Sequence, residues 1–574
     1  MAVSKVILNG TTLIDATTAT ASAADILSPK TAMLANGVMT TGTGTGGGGT
    51  TQKQVNFIDY DGTILYSYTA PEANALTALP ANPSHAGLTA QGWNWSLAQI
   101  KAQLTAMPDG PVWVGQMYIT QSGDTEIDVS MLEGRLDPIL TICVNGTVTV
   151  DWGDNTTADT VNGSSISSRL AVSHTYAAPG DYTIKIHATS GNFTFFGSNS
   201  NGYLLLRKNT SSNQSRVYTS CIRAIRIGSG ITRLYSEAFV YCSNLTYVTL
   251  PSEITYIDTS VFRYCYNLLS VTIPSDVTTL PQLAIAECKN MCSVAIPSGL
   301  TSIGSNTFGS CNNLTSITLP SGLTSIGSGA FSSCYHLTSI TIPSGVTTID
   351  SNVFTSCPNL SSITLLGNVT SIGGAAFSSC SSLSSITLPN TVTSIGSSAF
   401  SSCYSLSSIT LPSNVTSIGS SAFAYCSSLS SITLPSRVTN IDSTTFFGCY
   451  SLTSITILGN VTNIGSDAFR NCNILRSITL PNSVTAIGNT AFNLCYALTS
   501  ITVPSDVTTI GNSTFHSCFG VAEYHIKPTT PPTLGTTAFA NISSDCVIYV
   551  PTAKLADYQA AENWSAYASY MQGE

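Results

Sequence analysis

Cysteine recurs in this chain at one fixed step. Thirteen of its 17 cysteines form a single arithmetic series. The series runs Cys242, Cys265, Cys288, Cys311, Cys334, Cys357, Cys380, Cys403, Cys426, Cys449, Cys472, Cys495 and Cys518, each 23 residues after the last. Phe stands three residues before almost every one, from Phe239 and Phe262 to Phe492 and Phe515, with Ile285 in the gap. Leu stands three residues after, as at Leu245, Leu314 and Leu360, with Met291 and Val521 as variants. A unit this short cannot bury its own apolar face. Successive units must stack and share one core, which makes this region a solenoid.

The unit reads L-x-S-I-T-L-P-x-x-V-T-S-I-G-x-x-A-F-x-x-C. In the copy beginning at Leu314, Ile317 and Leu319 alternate with Thr318, the pattern of a half-buried strand. Pro320 ends that strand because it has no N–H for the ladder. Leu323 and Ile326 predict a second extended piece, and Gly327 a turn. The A-F-x-x-C stretch predicts one helical turn with Phe331 and Cys334 on a shared face. Metal or redox chemistry in the ladder would need C-x-x-C pairs or histidines close by, and neither is present. An odd number of cysteines with aligned Cβ vectors also suits disulfides badly. The ladder therefore reads as small, reduced core residues, and no cofactor or metal site is expected.

Charged residues are only 9% of the chain and its net charge is -9, against about 25% charged in ordinary domains. Without a Lys/Arg cluster, no nucleic-acid partner is expected. No apolar run reaches the roughly 18 residues of a membrane span. Met1 to Asp15 lacks a basic region followed by a long apolar core, so no signal peptide is read there and folding in a reducing cytoplasm is expected.

The SITLP, VTSIG and AFSSC blocks resemble BspA-type leucine-rich repeats of bacterial surface proteins, over about Thr232 to Met571. The resemblance implies a mainly β chain whose repeats fill residues 232–545. A cap at 546–574 follows, with a strand Val547–Val550 and a helix of about Ala553–Met571. Leu555, Tyr558 and Trp564 of that helix would cover the last turn. Residues 198–231 would connect and cap the front.

Upstream, Val6-Ile7-Leu8 and Leu13-Ile14 flank Asn9-Gly10, a hairpin signal. Residues 1–40 are similar to short N-terminal segments of phage tail-associated proteins and imply a docking module. Residues 41–52, with Gly46-Gly47-Gly48-Gly49, read as a linker. In 53–135, VNFIDYDGTIL and the closing GW resemble an internalin-type B repeat, followed by a helix over Ser96–Met107 and a strand over Val112–Ile119. In 136–197, Trp152-Gly153-Asp154, His174-Thr175-Tyr176 and Tyr182 are similar to the PKD domain, an immunoglobulin-type sandwich in which those positions are framework. Asp151, Asp154 and Asp159 are weighed as calcium ligands against turn capping, and turn capping is preferred.

The six histidines form no H-E-x-x-H or His-x-His motif, no G-x-S-x-G elbow occurs, and carboxylates are scattered. The chain is therefore read as no enzyme. The residue after each ladder cysteine varies, and at Tyr266, Tyr335, Tyr404, Tyr450 and Tyr496 it is aromatic. A tyrosine row is a candidate ligand-facing edge, but tyrosines packing on neighbouring turns would give the same pattern, and packing is the preferred reading. The uniform Ser/Thr strand positions suggest a spacer, with about 4.8 Å per strand giving roughly 60 Å of reach. Two roles follow. The first is a virion-surface attachment protein, docked to virion structural proteins through its N-terminus and presenting the solenoid to a host surface protein or glycan. The alternative is an extracellular BspA-like adhesin of a bacterial surface. A homo-oligomer is left open by either.

Overall fold

A computed structural model describes residues 54–107, 111–197, 204–208 and 215–574, and the backbone of four short strands before them. The chain divides into two compact units, Met1–Gln52 and Lys53–Glu574. In the first, Lys5–Leu8 pairs antiparallel with Thr11–Asp15, and Thr31–Met33 with Met39–Thr41. The turn Asn9-Gly10 and all of the linker but Thr41 lie outside the described residues.

The second unit opens with a four-stranded sheet in the order Ile64–Thr69, Gln54–Ile58, Val112–Thr120, Leu88–Trp93. Helix Leu97–Ala106 lies beside it, started by Ser96, whose hydroxyl accepts the Gln99 N–H. A second sheet gathers Asp159–Ser173, Ile139–Asp151, Gly180–Thr194, Thr125–Met131, Ile222–Arg226 and Tyr247–Thr249, in that order. The sequence reading expected two facing sheets over 136–197. The long strands here hydrogen-bond into one sheet, which runs straight into the solenoid. Alternation along a strand marks an inner and an outer face but not which sheet holds the strand. Of the motif residues, Trp152 and Tyr176 are buried. Trp152 Nε1 donates to Asp159, Tyr176 Oη donates to the Trp152 carbonyl, and the His174 ring stacks on Trp152.

Most solenoid turns carry two short parallel strands. The S-I-T-L segments pair one repeat apart, as in Ser431↔Ser454 and Thr433↔Thr456. The S-I segments after them do the same, as in Ser371↔Ser394↔Ser417. Between them runs a ladder of threonines that binds most turns twice. Thr393 donates both its N–H (2.8 Å) and its hydroxyl (3.1 Å) to the Thr370 carbonyl.

The A-F-x-x-C stretch is not the helical turn that its spacing suggests. Two residues in each copy take positive φ, for example Ser398 (56°) and Ser402 (59°), which an α-helix excludes. The result is a chain of tight turns whose amides alternate in direction. Ala330, Ser332 and Cys334 donate back within their own turn, to Gly327, Gly329 and Phe331. Gly329, Phe331 and Ser333 donate to Ser351, Val353 and Thr355 of the next repeat. Half of the amides thus lock the stack.

Two buried columns run through it. The Phe rings from Phe308 to Phe515 lie nearly parallel at 5.3–5.7 Å. Beside them every ladder cysteine from Cys265 to Cys518 points its thiol at the carbonyl 26 residues earlier, as Cys403 Sγ does at Phe377 (3.1 Å). All 17 cysteines are free thiols. They fill space, as expected, and also tie each turn to the one before.

At the end of the stack, Val547–Val550 extends the sheet and Met571–Gly573 closes it. The segment between them is broken, where one helix was expected. Leu555–Ala560 is α-helical, Ser565–Tyr570 is a 3-10 turn, and Asn563 interrupts with φ of 61°. Tyr558 and Trp564 are fully buried and donate to the carbonyls of Pro528 and Pro532.

Candidate binding surface

The outward side chains of the S-I-T-L strands form a sheet face of Ser and Thr. The N-terminal half of that face is occupied by the chain itself. The sheet containing Val112–Thr120 lies on the strands Ser270–Thr272 and Ser293–Ala295. Contact is close enough to fix residue size. A Cβ on Gly115 would come within 2.6 Å of Ala295 Cβ. Ala295 stands where most repeats carry Thr.

Polar groups close this junction. Asn94 Nδ2 donates to the carbonyls of Ile273 and Ala295 (both 3.1 Å), and Trp95 Nε1 to Ile296 (2.6 Å). Gln103 donates to the Leu319 carbonyl and accepts from Ser321 N–H. Trp113 Nε1 donates to Ser316, and Thr318 to the Pro111 carbonyl. The carbonyls of Ile273, Ala295, Ile296 and Leu319 thereby gain donors where the cover hides them from water. The cover ends at about Thr341. From Ser385 and Thr387 to Ser500 and Thr502 the same positions are exposed on every turn.

An apolar edge flanks the exposed half. Tyr335, Tyr404, Tyr450 and Tyr496 are each 42–50% exposed, and Phe519 is 55% exposed. Tyr496 and Phe519 stack at 5.7 Å. Tyr266 stands apart from the other four. It is only half exposed, with its ring against Tyr264 and beneath the Lys289 ammonium at 4.9 Å. Two further edge residues escaped the sequence reading. Ile474 stands one position beyond the tyrosine column and Tyr425 two positions before it, at 43% and 39% exposed. A search of one column could not find them.

The titratable groups are dispersed. The thiols of Cys311, Cys357, Cys403, Cys449 and Cys518 are pushed by burial up to about 12. At neutral pH they are neither nucleophiles nor metal ligands. Three histidines each meet a different carboxylate: His85 with Asp59, His174 with Asp154, His187 with Asp124. Asp151 accepts the Gly153 amide, and Asp154 takes the Thr156 amide and hydroxyl. With Asp159 bonded to Trp152, the three weighed calcium ligands serve turns and framework. Among the described residues no three His, Cys, Asp or Glu are grouped to hold a metal ion, and no helix is long and apolar enough to cross a membrane.

A family model described as a BspA type leucine rich repeat region, in 6 copies, matches residues 184–292, 280–404, 347–475 and 439–560. Among solved structures, the chain is similar to a leucine-rich repeat protein from Bacteroides ovatus, at 24% identity over 57% of this chain and 94% of that one, with a TM-score of 0.48. It is similar to a leucine rich cell surface protein from Faecalibacterium prausnitzii at 28% identity, over 53% and 84%, with a TM-score of 0.35. The pneumococcal vaccine antigen PcpA is 17% identical over 61% and 92%, with a TM-score of 0.32. No curated protein matches the chain.

Proposed function

This chain belongs to the BspA-type leucine-rich repeat family, and we propose that it is a non-enzymatic, adhesin-like binding protein displayed at a bacterial cell surface. It grips a host protein or glycan along the exposed edge of its C-terminal repeats. One observation carries the reading. Tyr404, Tyr425, Tyr450, Ile474, Tyr496 and Phe519 are all exposed, and all lie at one edge of the turns from Cys403 to Cys518. Large apolar side chains concentrated on one strip of an otherwise hydroxyl surface mark an interaction site. The virion-surface role rests on residues 1–40, which precede the family match, and family membership favours the cell surface.

The test is cell fractionation. Antibody to the solenoid should label intact producing cells, and the chain should copurify with the envelope. Recovery only in purified phage particles would overturn cell-surface display in favour of a virion protein.

A further inference from the structure

Three of the edge tyrosines repeat at twice the period of the fold. Tyr404, Tyr450 and Tyr496 occupy the same position on every second turn, while Ser427 and Asn473 take it on the turns between. Two turns cover roughly 10–11 Å, between two strand spacings of about 4.8 Å and two steps of the Phe column at 5.3–5.7 Å. Beside the tyrosines runs the uncovered hydroxyl face. Ser408 and Thr410, Ser431 and Thr433, Ser454 and Thr456, and Ser500 and Thr502 are exposed. Parallel pairing holds Ser431 and Thr433 in register with Ser454 and Thr456. From Tyr404 to Thr502, the positions between each cysteine and the end of its strand carry one ion, Arg476.

A surface that repeats itself cannot read a partner that does not. It complements a partner with its own period, its own lack of charge and hydroxyls to exchange. We infer that the edge formed by Tyr404, Tyr450 and Tyr496 binds an unbranched, neutral, β-linked glycan lying along the solenoid axis, of the ribbon kind whose rings are joined through equatorial bonds at their opposite ends. In such a chain alternate sugar rings turn opposite faces outward, so one face recurs at every second ring, about the length of two solenoid turns. Each tyrosine stacks on the C–H face of one ring, as aromatic side chains stack on flat apolar surfaces. The Ser and Thr hydroxyls, each both donor and acceptor, meet the sugar hydroxyls.

Peptide partners fit less well. An extended strand repeats about every 6.8 Å, and a polyproline turn about every 9.3 Å. Both drift out of register within the three tyrosines. A helical heptad, at about 10.5 Å, keeps step. Tyr425 and Ile474 would offer such a helix further contacts on the turns between, but Ser427, Ser428 and Asn473 leave polar gaps in the column that an apolar helix face would bury without partners, and the helix is therefore the competing partner in the test.

This inference rests on the proposed binding role, and the experiment separates the two. The full chain is immobilised and exposed to cellulose-, chitin- and mannan-derived oligosaccharides of increasing length. Hyaluronan serves as a charged control, and an amphipathic heptad peptide as the competing partner. Neutral glycans should bind, with affinity rising in steps for each added pair of rings and little change with salt. Tyr450→Ala should weaken binding roughly tenfold at unchanged melting temperature. The pair Tyr450→Ser with Ser427→Tyr keeps the number of tyrosines but breaks the two-turn spacing, and should weaken it at least as much. Equal binding by that rearranged variant would overturn the register argument. Tyrosine-dependent binding of the peptide and of no glycan would overturn the glycan and leave the adhesin reading standing. Failure of every probe, with no effect of the tyrosines on attachment of whole cells, would overturn both.

Discussion

Alkaline pH should unlock the cysteine ladder, and one residue suffices to show it. Cys403 is fully buried, its thiol faces the Phe377 carbonyl at 3.1 Å, and burial raises its pKa from an ordinary 9.0 to about 12. The unfolded chain ionises near pH 9 and the folded chain does not. A thiol raised in this way leaves stability intact below pH 9 and removes it as pH climbs toward 12. At pH 10 the loss is about 1.4 kcal/mol for one such thiol. The five thiols at about 12 together lose roughly 7 kcal/mol, within the 5–15 kcal/mol that holds a typical domain. Cys403→Ala removes the titration. At pH 8 the variant should be less stable by about 1–2 kcal/mol, because it leaves a small cavity and an unmade S–H bond. That gap should close by about 1.4 kcal/mol at pH 10. Urea unfolding of both proteins under reducing conditions, followed by circular dichroism at both pH values, measures it. A gap that stays constant from pH 8 to pH 10 would refute the account of a thiol held protonated by burial.

The other expectations concern the remaining devices of the fold. Phe423→Ala removes a ring stacked at 5.5 Å on Phe400 and 5.7 Å on Phe446. It should cost about 3–5 kcal/mol and split the urea transition of the array in two. Gly115→Ala pushes a methyl against Ala295. It should cost about 1–3 kcal/mol and speed protease cleavage between the N-terminal sheet and the solenoid. Ala375 sits at φ of 52°, where L side chains are strained. Ala375→Gly should raise thermal stability by up to about 1 kcal/mol.

The spacing of one residue type disclosed the solenoid because parallel pairing between turns demands a constant unit length. Every inserted residue would break the register of Ser431 on Ser454. The shape of the A-F-x-x-C turn was less legible. Phe331 and Cys334 do share a face, and a helix would give the same i, i+3 signal. What decides against it is left-handed backbone two positions before the Phe and one before the Cys. Asn352, Ser356 and Gly329 advertise that conformation, but Ala375 and Leu283 adopt it too and blur the pattern. The packing of the N-terminal sheet on the solenoid left two traces in sequence, Ala295 for Thr in the repeat and Gly115 within a strand of the sheet. Neither means anything until the two are seen face to face. The same holds for the edge. Its tyrosine column was legible, whereas Ile474 and Tyr425, from neighbouring columns, become part of it only when the turns are stacked.

Where the solenoid ends bears on where it binds. A stack of identical parallel strands exposes unpaired backbone at both ends, and identical ends invite other copies to join. Here both ends differ from the middle. At the front, Tyr247–Thr249 pairs with Ile222–Arg226, which turns the parallel stack into an antiparallel sheet. Arg226 secures that junction by bonding Glu126 and Asp128. At the back, three residues, Met571–Gly573, form a short final strand, and Glu574 beside it is held by Lys527 at 2.6 Å and His525 at 3.0 Å. The front of the Ser/Thr face is covered by the chain's own sheet. Ends and front half are thereby used for folding, and what remains is the exposed face from Ser385 to Thr502 with its tyrosine edge. On the proposed reading, the monotony that first suggested a mere spacer becomes a property of the binding surface itself, suited to a ligand as repetitive as the protein.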